Sequence, residues 1–171
     1  MRMRSNVARK LPVEAKTMRF VDRRYDDQET LHGPAICSRC HAYLETDHWS
    51  YDEARYRVLQ THPDVHATVC PGCLRVARRL YEGEVRISLT GDAAQKADIM
   101  RLILHEEARV RASNPSARIA VLEEREDEVF LLTTTQFLAR RIGRTIQKLI
   151  HGTLKVDNLP YERFTRVRLT Q

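Results

Sequence analysis

From Glu84 onward the apolar residues switch between two periods. Val85, Ile87 and Leu89 alternate with Arg86 and Ser88, the period of two that marks a strand with one buried face. Gly91-Asp92 marks a turn, and Asp92 with Gln95 offers a helix start. Positions 99, 100, 102, 103, 104, 108 and 110 then predict a long helix running to about residue 112. Asn114-Pro115 stops it, because proline lacks the backbone donor that a helix interior needs. Ile119–Leu122 and Val129–Leu132 predict two strands joined by the acidic turn Glu123–Glu128. Thr133-Thr-Thr135 opens a second helix to about residue 150, with Leu138, Ile142, Ile146 and Leu149 facing the sheet. Leu154–Val156 and Phe164–Leu169 give closing strands, the last as a short addition. The order strand–helix–strand–strand–helix–strand predicts an α+β, ferredoxin-like (split βαβ) domain with both helices on one face.

The chain before residue 84 follows a different pattern. Residues 25–33 are polar and acidic and have the composition of a linker. Ser50-Tyr-Asp-Glu53 has the form of a capping box, predicting a short helix that ends before Thr61-His62-Pro63. A second helix is predicted over 74–81, with Arg75, Arg78 and Arg79 turned outward as a basic patch. These breaks divide the chain into a basic arm and linker (1–33), a small module with a helical insertion (34–82) and the ferredoxin-like domain (83–171).

The chemistry of the middle module lies in its cysteines. The chain has four, and all fall in two Cys-x-x-Cys pairs, Cys37-Ser-Arg-Cys40 and Cys70-Pro-Gly-Cys73. Each pair can wrap a turn around one ion, and four thiolates complete a closed tetrahedral site suited to one structural Zn²⁺. Proline and glycine at the centre of the second pair suit a second metal knuckle, so the module is expected to be a four-cysteine zinc ribbon. The 29 residues between Cys40 and Cys70 imply an insertion. Cys37-Ser-Arg-Cys40-His41 also fits a haem attachment string, Cys70–Cys73 a redox pair, and all four structural disulfides. The first two leave a cysteine pair unexplained. Haem attachment and disulfides need export, and the N-terminus lacks the apolar stretch of a signal peptide. With no apolar run approaching the roughly 20 residues of a membrane span, the expected location is the cytoplasm, without membrane contact.

Charge changes the picture next. Residues 1–24 carry eight basic groups, among them Arg2, Arg4, Arg9 and Lys10, against Glu14 and Asp22. Their net of +6 equals the formal charge of the whole chain, so the remainder sums to zero. A basic arm of this kind grips nucleic-acid phosphates or simply stays solvated. Arg140, Arg144 and Lys148, at steps of four along the second long helix, form a positive stripe beside Arg141, and Gly143 permits close approach of another backbone. With Arg75, Arg78 and Arg79, these surfaces predict binding to a structured RNA through phosphates. Trp49 is expected in the core of the small module.

Little points to catalysis. His105-Glu-Glu-Ala-Arg109 departs from the zinc-protease string H-E-x-x-H, since Arg109 replaces the second histidine. Glu106 and Glu107 are expected on a solvated helix face, and the run Glu123–Glu128 at a solvated hairpin tip. No P-loop, G-x-S-x-G or dinucleotide glycine pattern is present, so neither an enzyme nor a small-molecule substrate is expected.

His105-Glu-Glu-Ala-Arg109, Asn114-Pro-Ser-Ala-Arg-Ile119 and Thr133–Gly143, following two Cys-x-x-Cys pairs, resemble a group of short bacterial zinc-ribbon proteins. That group in turn resembles the amino-terminal part of the archaeal and eukaryotic large-ribosomal-subunit export adaptor family, through the cysteine pairs and Leu138-Ala-Arg-Arg141. The resemblance implies binding to the ribosome, with the large subunit favoured, or to its ribosomal RNA, and no catalysis. It also implies that Cys37, Cys40, Cys70 and Cys73 are metal ligands. With only two cysteine pairs and no carboxy-terminal export segment, the expected setting is assembly or dormancy of the subunit rather than export. The alternative is a zinc-ribbon protein–protein adaptor or transcription regulator.

Overall fold

A computed structural model of the protein describes residues 33–90 and 93–171. The arm with Arg2, Arg4, Arg9 and Lys10, and the Gly91-Asp92 turn, lie outside the described residues. Among the described residues the chain forms two sheets and four α-helices.

The first sheet is built from β1 (Ala35–Cys37), β2 (Ala42–Glu45), β3 (His48–Tyr51) and β4 (His66–Thr68) in the order β3-β2-β1-β4. Thr46 and Asp47 join β2 to β3 with φ of 49° and 64°. Two left-handed residues give a turn whose twist matches that of the strands it connects. Between β3 and β4 runs α1 (Glu53–Gln60), capped by Asp52, whose side chain accepts from Arg55 N at 2.8 Å. The expected capping box is therefore displaced: Ser50 is a strand residue paired with Tyr43. The interval between the cysteine pairs is no simple helical insertion, since it supplies three of the four strands. Val58 of α1 faces solvent.

After α2 (Pro71–Ala77) come β5 (Gly83–Ser88), α3 (Ala93–Ser113), β6 (Ile119–Glu124), β7 (Glu128–Thr133), α4 (Gln136–Ile150), β8 (Thr153–Leu159) and β9 (Phe164–Thr170). Alternation puts Val85, Ile87, Val129, Leu131, Val167 and Leu169 on the inner sheet face, against Ile99, Ile103 and Val110 of α3 and Leu138, Ile142 and Ile146 of α4. On the other face Phe130 lies under the guanidinium groups of Arg86 and Arg125, at 5.0 and 4.9 Å. In the last turn of α4, Ile150 is buried and Leu149 is exposed, one residue out of the expected register.

The second sheet runs β6-β7-β5-β9-β8. Its first half is the split βαβ unit: β5 and β6 are linked through α3, with β7 between them. In a ferredoxin-like second half, β8 would lie beside β5. Here β9 holds that place, parallel to β5, and β8 pairs outside it. Burial accounts for the exchange. Phe164, Val167 and Leu169 of β9 are buried, whereas β8 offers half-buried Leu154 and Val156 beside exposed Lys155, a composition suited to an edge. The expected short terminal addition is thus a seven-residue interior strand.

Candidate metal centre

The two cysteine pairs meet through different local structures. Cys37 ends β1, and the chain turns back immediately: Ser38 N donates to Thr68 O at 2.7 Å and Arg39 N to Cys37 Sγ at 3.4 Å. This is the expected knuckle. The second pair is instead the first turn of α2. Cys70 is its N-cap, with Sγ accepting from Cys73 N at 3.5 Å, and Pro71 occupies the start of the helix, where its missing N–H costs nothing. Cys70 N donates across to Cys37 Sγ at 3.3 Å, tying the helix start to the knuckle. A knuckle facing a helix start thus replaces the ribbon's two knuckles.

The four Sγ atoms lie within 4.8 Å of one another and can hold a metal ion. Cys40 and Cys70 Sγ are 3.6 Å apart, close to the edge of about 3.8 Å that a tetrahedron with 2.3 Å metal–sulfur bonds requires. All four cysteines are free. No pair stands apart from the other, as the haem and redox readings require. Clustering splits the thiols: hydrogen bonds from Cys40, Cys70 and Cys73 hold Cys37 far below the usual range. Cys40 is raised by its bond with Cys37 but lowered more by Cys70 and Cys73, reaching about 6. Cys70 and Cys73 are pushed up, chiefly by their bonds with Cys37 and Cys40. Carrying four thiolates together requires a cation among them.

One cation is already there. Arg118, buried at the start of β6, donates from Nη2 to Cys40 Sγ at 3.4 Å and to Cys70 Sγ at 3.9 Å, and from Nη1 to Ala117 O at 3.1 Å. Burial works against its charge, but the Cys40 bond and the charges of Cys40, Cys70 and Cys73 outweigh burial and hold its pKa above the usual value. Arg118 comes from the segment just before β6 and was missed in the sequence, because it lies 48 positions from Cys70 and 78 from Cys40. Gly72 makes the companion contact. A Cβ there would stand 2.2 Å from Pro115 O, so glycine serves close approach of the two units rather than unusual backbone angles.

Ring side chains surround the centre. Trp49 and Tyr51 lie against the cysteine cluster, and the Arg111 guanidinium sits 3.9 Å above the Tyr51 ring. His41 stacks on Tyr56 and pairs with Glu53 rather than joining the sulfurs.

The predicted basic residues separate into two kinds. Arg75 is mostly buried and ion-paired with Glu82. Arg78 is the C-cap of α2, and Arg79 follows it in the left-handed region with φ 57°, so the three do not share one helical face. On α4, Arg141 Nε donates to Glu106 Oε2 at 2.8 Å, and Arg140 Nη2 to Gln136 Oε1 at 3.0 Å. Arg144 and Lys148 are exposed. With Phe137, 56% exposed, and Thr145, these four residues line a shallow groove of about 480 Å³.

Glu106 and Glu107 are not on a solvated face. Glu106 is buried between Arg141 and Arg109, and Glu107 accepts from Ile119 N at 2.8 Å. Gly143 lies against Val167 and Leu154 side chains, not another backbone. No helix among the described residues is long and apolar enough to cross a membrane. No protein-family model matches the chain, and neither a curated protein nor a solved structure matches it.

Proposed function

We propose that the chain is a non-catalytic protein, stapled by one structural Zn²⁺, that binds structured ribosomal RNA, with the large ribosomal subunit as its host during assembly or dormancy. Four thiolates and no open position suit zinc in a structural role. The observation that carries the RNA reading is the groove on α4, where Phe137 lies among Arg140, Arg141, Arg144 and Lys148. Phe137, Arg141, Arg144 and Lys148 recur every three or four positions, with Arg140 beside Arg141 and four before Arg144, so neighbouring stripes of one helix present them together. Successive cations rise about 6 Å per four residues, a spacing that can follow phosphates along one strand. An exposed aromatic ring at the end of the row offers a base a stacking surface.

Native mass spectrometry should find one zinc ion per chain. Co-sedimentation with large ribosomal subunits should weaken steeply as salt rises. Replacing Arg144 and Lys148 by alanine should lower the slope of log affinity against log salt by roughly 1.5, as expected for two lost phosphate contacts. Salt-insensitive capture of a single protein would instead identify an adaptor.

A further inference from the structure

We infer that Arg118 is a positioning residue for the metal centre, making ion binding and docking of the two sheets a single event. The inference rests on the four-cysteine metal reading and is independent of RNA binding.

Arg118 is only 5% exposed, and among the described residues no carboxylate pairs with it. A buried guanidinium needs a counter-charge. The hydrogen-bond acceptors it faces are the sulfurs of Cys40 and Cys70, one from each cysteine pair, and both are anions once the four cysteines hold an ion. Four thiolates around a divalent ion keep a net charge of −2, which one guanidinium reduces to −1. N–H donors aimed at metal-bound sulfur hold the ligands in place from outside the coordination sphere.

Arg118 is itself held from the second sheet. Its N–H donates to Thr134 Oγ1 at 2.8 Å, and Thr134 N donates to its carbonyl at 2.9 Å. The Thr134 hydroxyl continues to Ser116 O at 2.6 Å. The next residue, Thr135, is the N-cap of α4. The arginine stem also lies against Gly72, between the two ligands of the second pair, where an added Cβ would be 3.1 Å from Arg118 Cγ. One side chain therefore touches both cysteine pairs while its backbone belongs to the segment that leads from α3 into β6 of the second sheet. By linkage, ion binding that strengthens this contact is strengthened by it to the same degree.

The test is Zn²⁺ binding by competition with a chromophoric chelator, for the full chain and for Arg118→Met and Arg118→Lys. Amide exchange is followed in parallel at residues 71–77 and 114–119. Arg118→Met keeps much of the stem's bulk and should lose affinity about ten- to a hundredfold. It should also raise exchange in both segments while β5, β7 and β9 stay protected. Arg118→Lys, which keeps the charge, should recover part of the affinity. The inference is overturned if Arg118→Met binds zinc as tightly as the natural chain or if lysine restores nothing. Loss of affinity together with lost protection in β5, β7 and β9 would also overturn it, marking Arg118 as an ordinary core residue. A natural chain that binds no Zn²⁺ would defeat the metal reading beneath it, a result distinguishable from failure of Arg118 alone.

Discussion

Single atoms decide how close the two units come. Gly72 has no Cβ, and the Pro115 carbonyl occupies the space one would take. Gly72→Ala should therefore separate α2 from the 115–118 segment and destabilise the metal-loaded protein by about 1–3 kcal/mol, measured as a fall in urea midpoint. An unchanged midpoint would show that the segment yields freely. Cys37, Cys40, Cys70 and Cys73 were legible in the sequence because metal-ligand spacing is local: each pair lies within one turn. The sulfur-bound arginine was not: Arg118 stands in the Asn114–Ile119 stretch that carries the resemblance, but its partners lie 48 and 78 positions away, and nothing local links it to the cysteines. Glycine and proline between Cys70 and Cys73 were visible but gave the wrong local structure. Pro71 fits a helix start as well as a tight turn, and the following helical residues favour the former.

At the level of elements, α3 and α4 are joined by their interdigitated apolar faces and by a charged clasp at Glu106. That carboxylate is 3% exposed, with Arg141 on α4 and Arg109 on its own helix. The helical period of α4 placed Leu138, Ile142 and Ile146 correctly on the core side, because a long amphipathic repeat is a strong signal. In α3 the same period puts Glu106 in line with Ile99, Ile103 and Val110, but it could not show the partners that a buried carboxylate needs there, since those are chosen by helix packing. Glu106→Gln preserves the shape and removes the charge. Arg141 and Arg109 are partly exposed and can recover water, so the cost should be about 1–2 kcal/mol. The substitution also releases Arg141 toward the α4 groove. Affinity for a structured RNA should hold or rise about twofold while thermal stability falls. Affinity that falls together with stability would place the RNA contact elsewhere.

Across the whole molecule the two sheets have unequal means of support. The second has a continuous core of sixteen buried residues, drawn from three of its strands, both long helices and their flanking segments. The cluster at the metal centre contains three buried residues, Cys37, Ala42 and Cys70, with Cys40, Trp49, Tyr51 and Cys73 partly covering them. Units this small fold alone only with an added tie such as a metal ion. The order of strands and helices was legible because each has its own period, but the place of β9 was not: pairing depends on which strand buries more, a comparison across the sheet rather than along the chain. The same imbalance predicts how the molecule comes apart. After chelation, amide protection should vanish across residues 35–77 and weaken at 114–118, where Pro115 and Arg118 meet the metal module. β5, β7 and β9 should remain protected, since the metal contributes nothing to their inner face. A first sheet that stays protected without metal would show that its small core suffices. Simultaneous loss throughout both sheets would show that the larger core needs the metal as well, contrary to the division of burial between them.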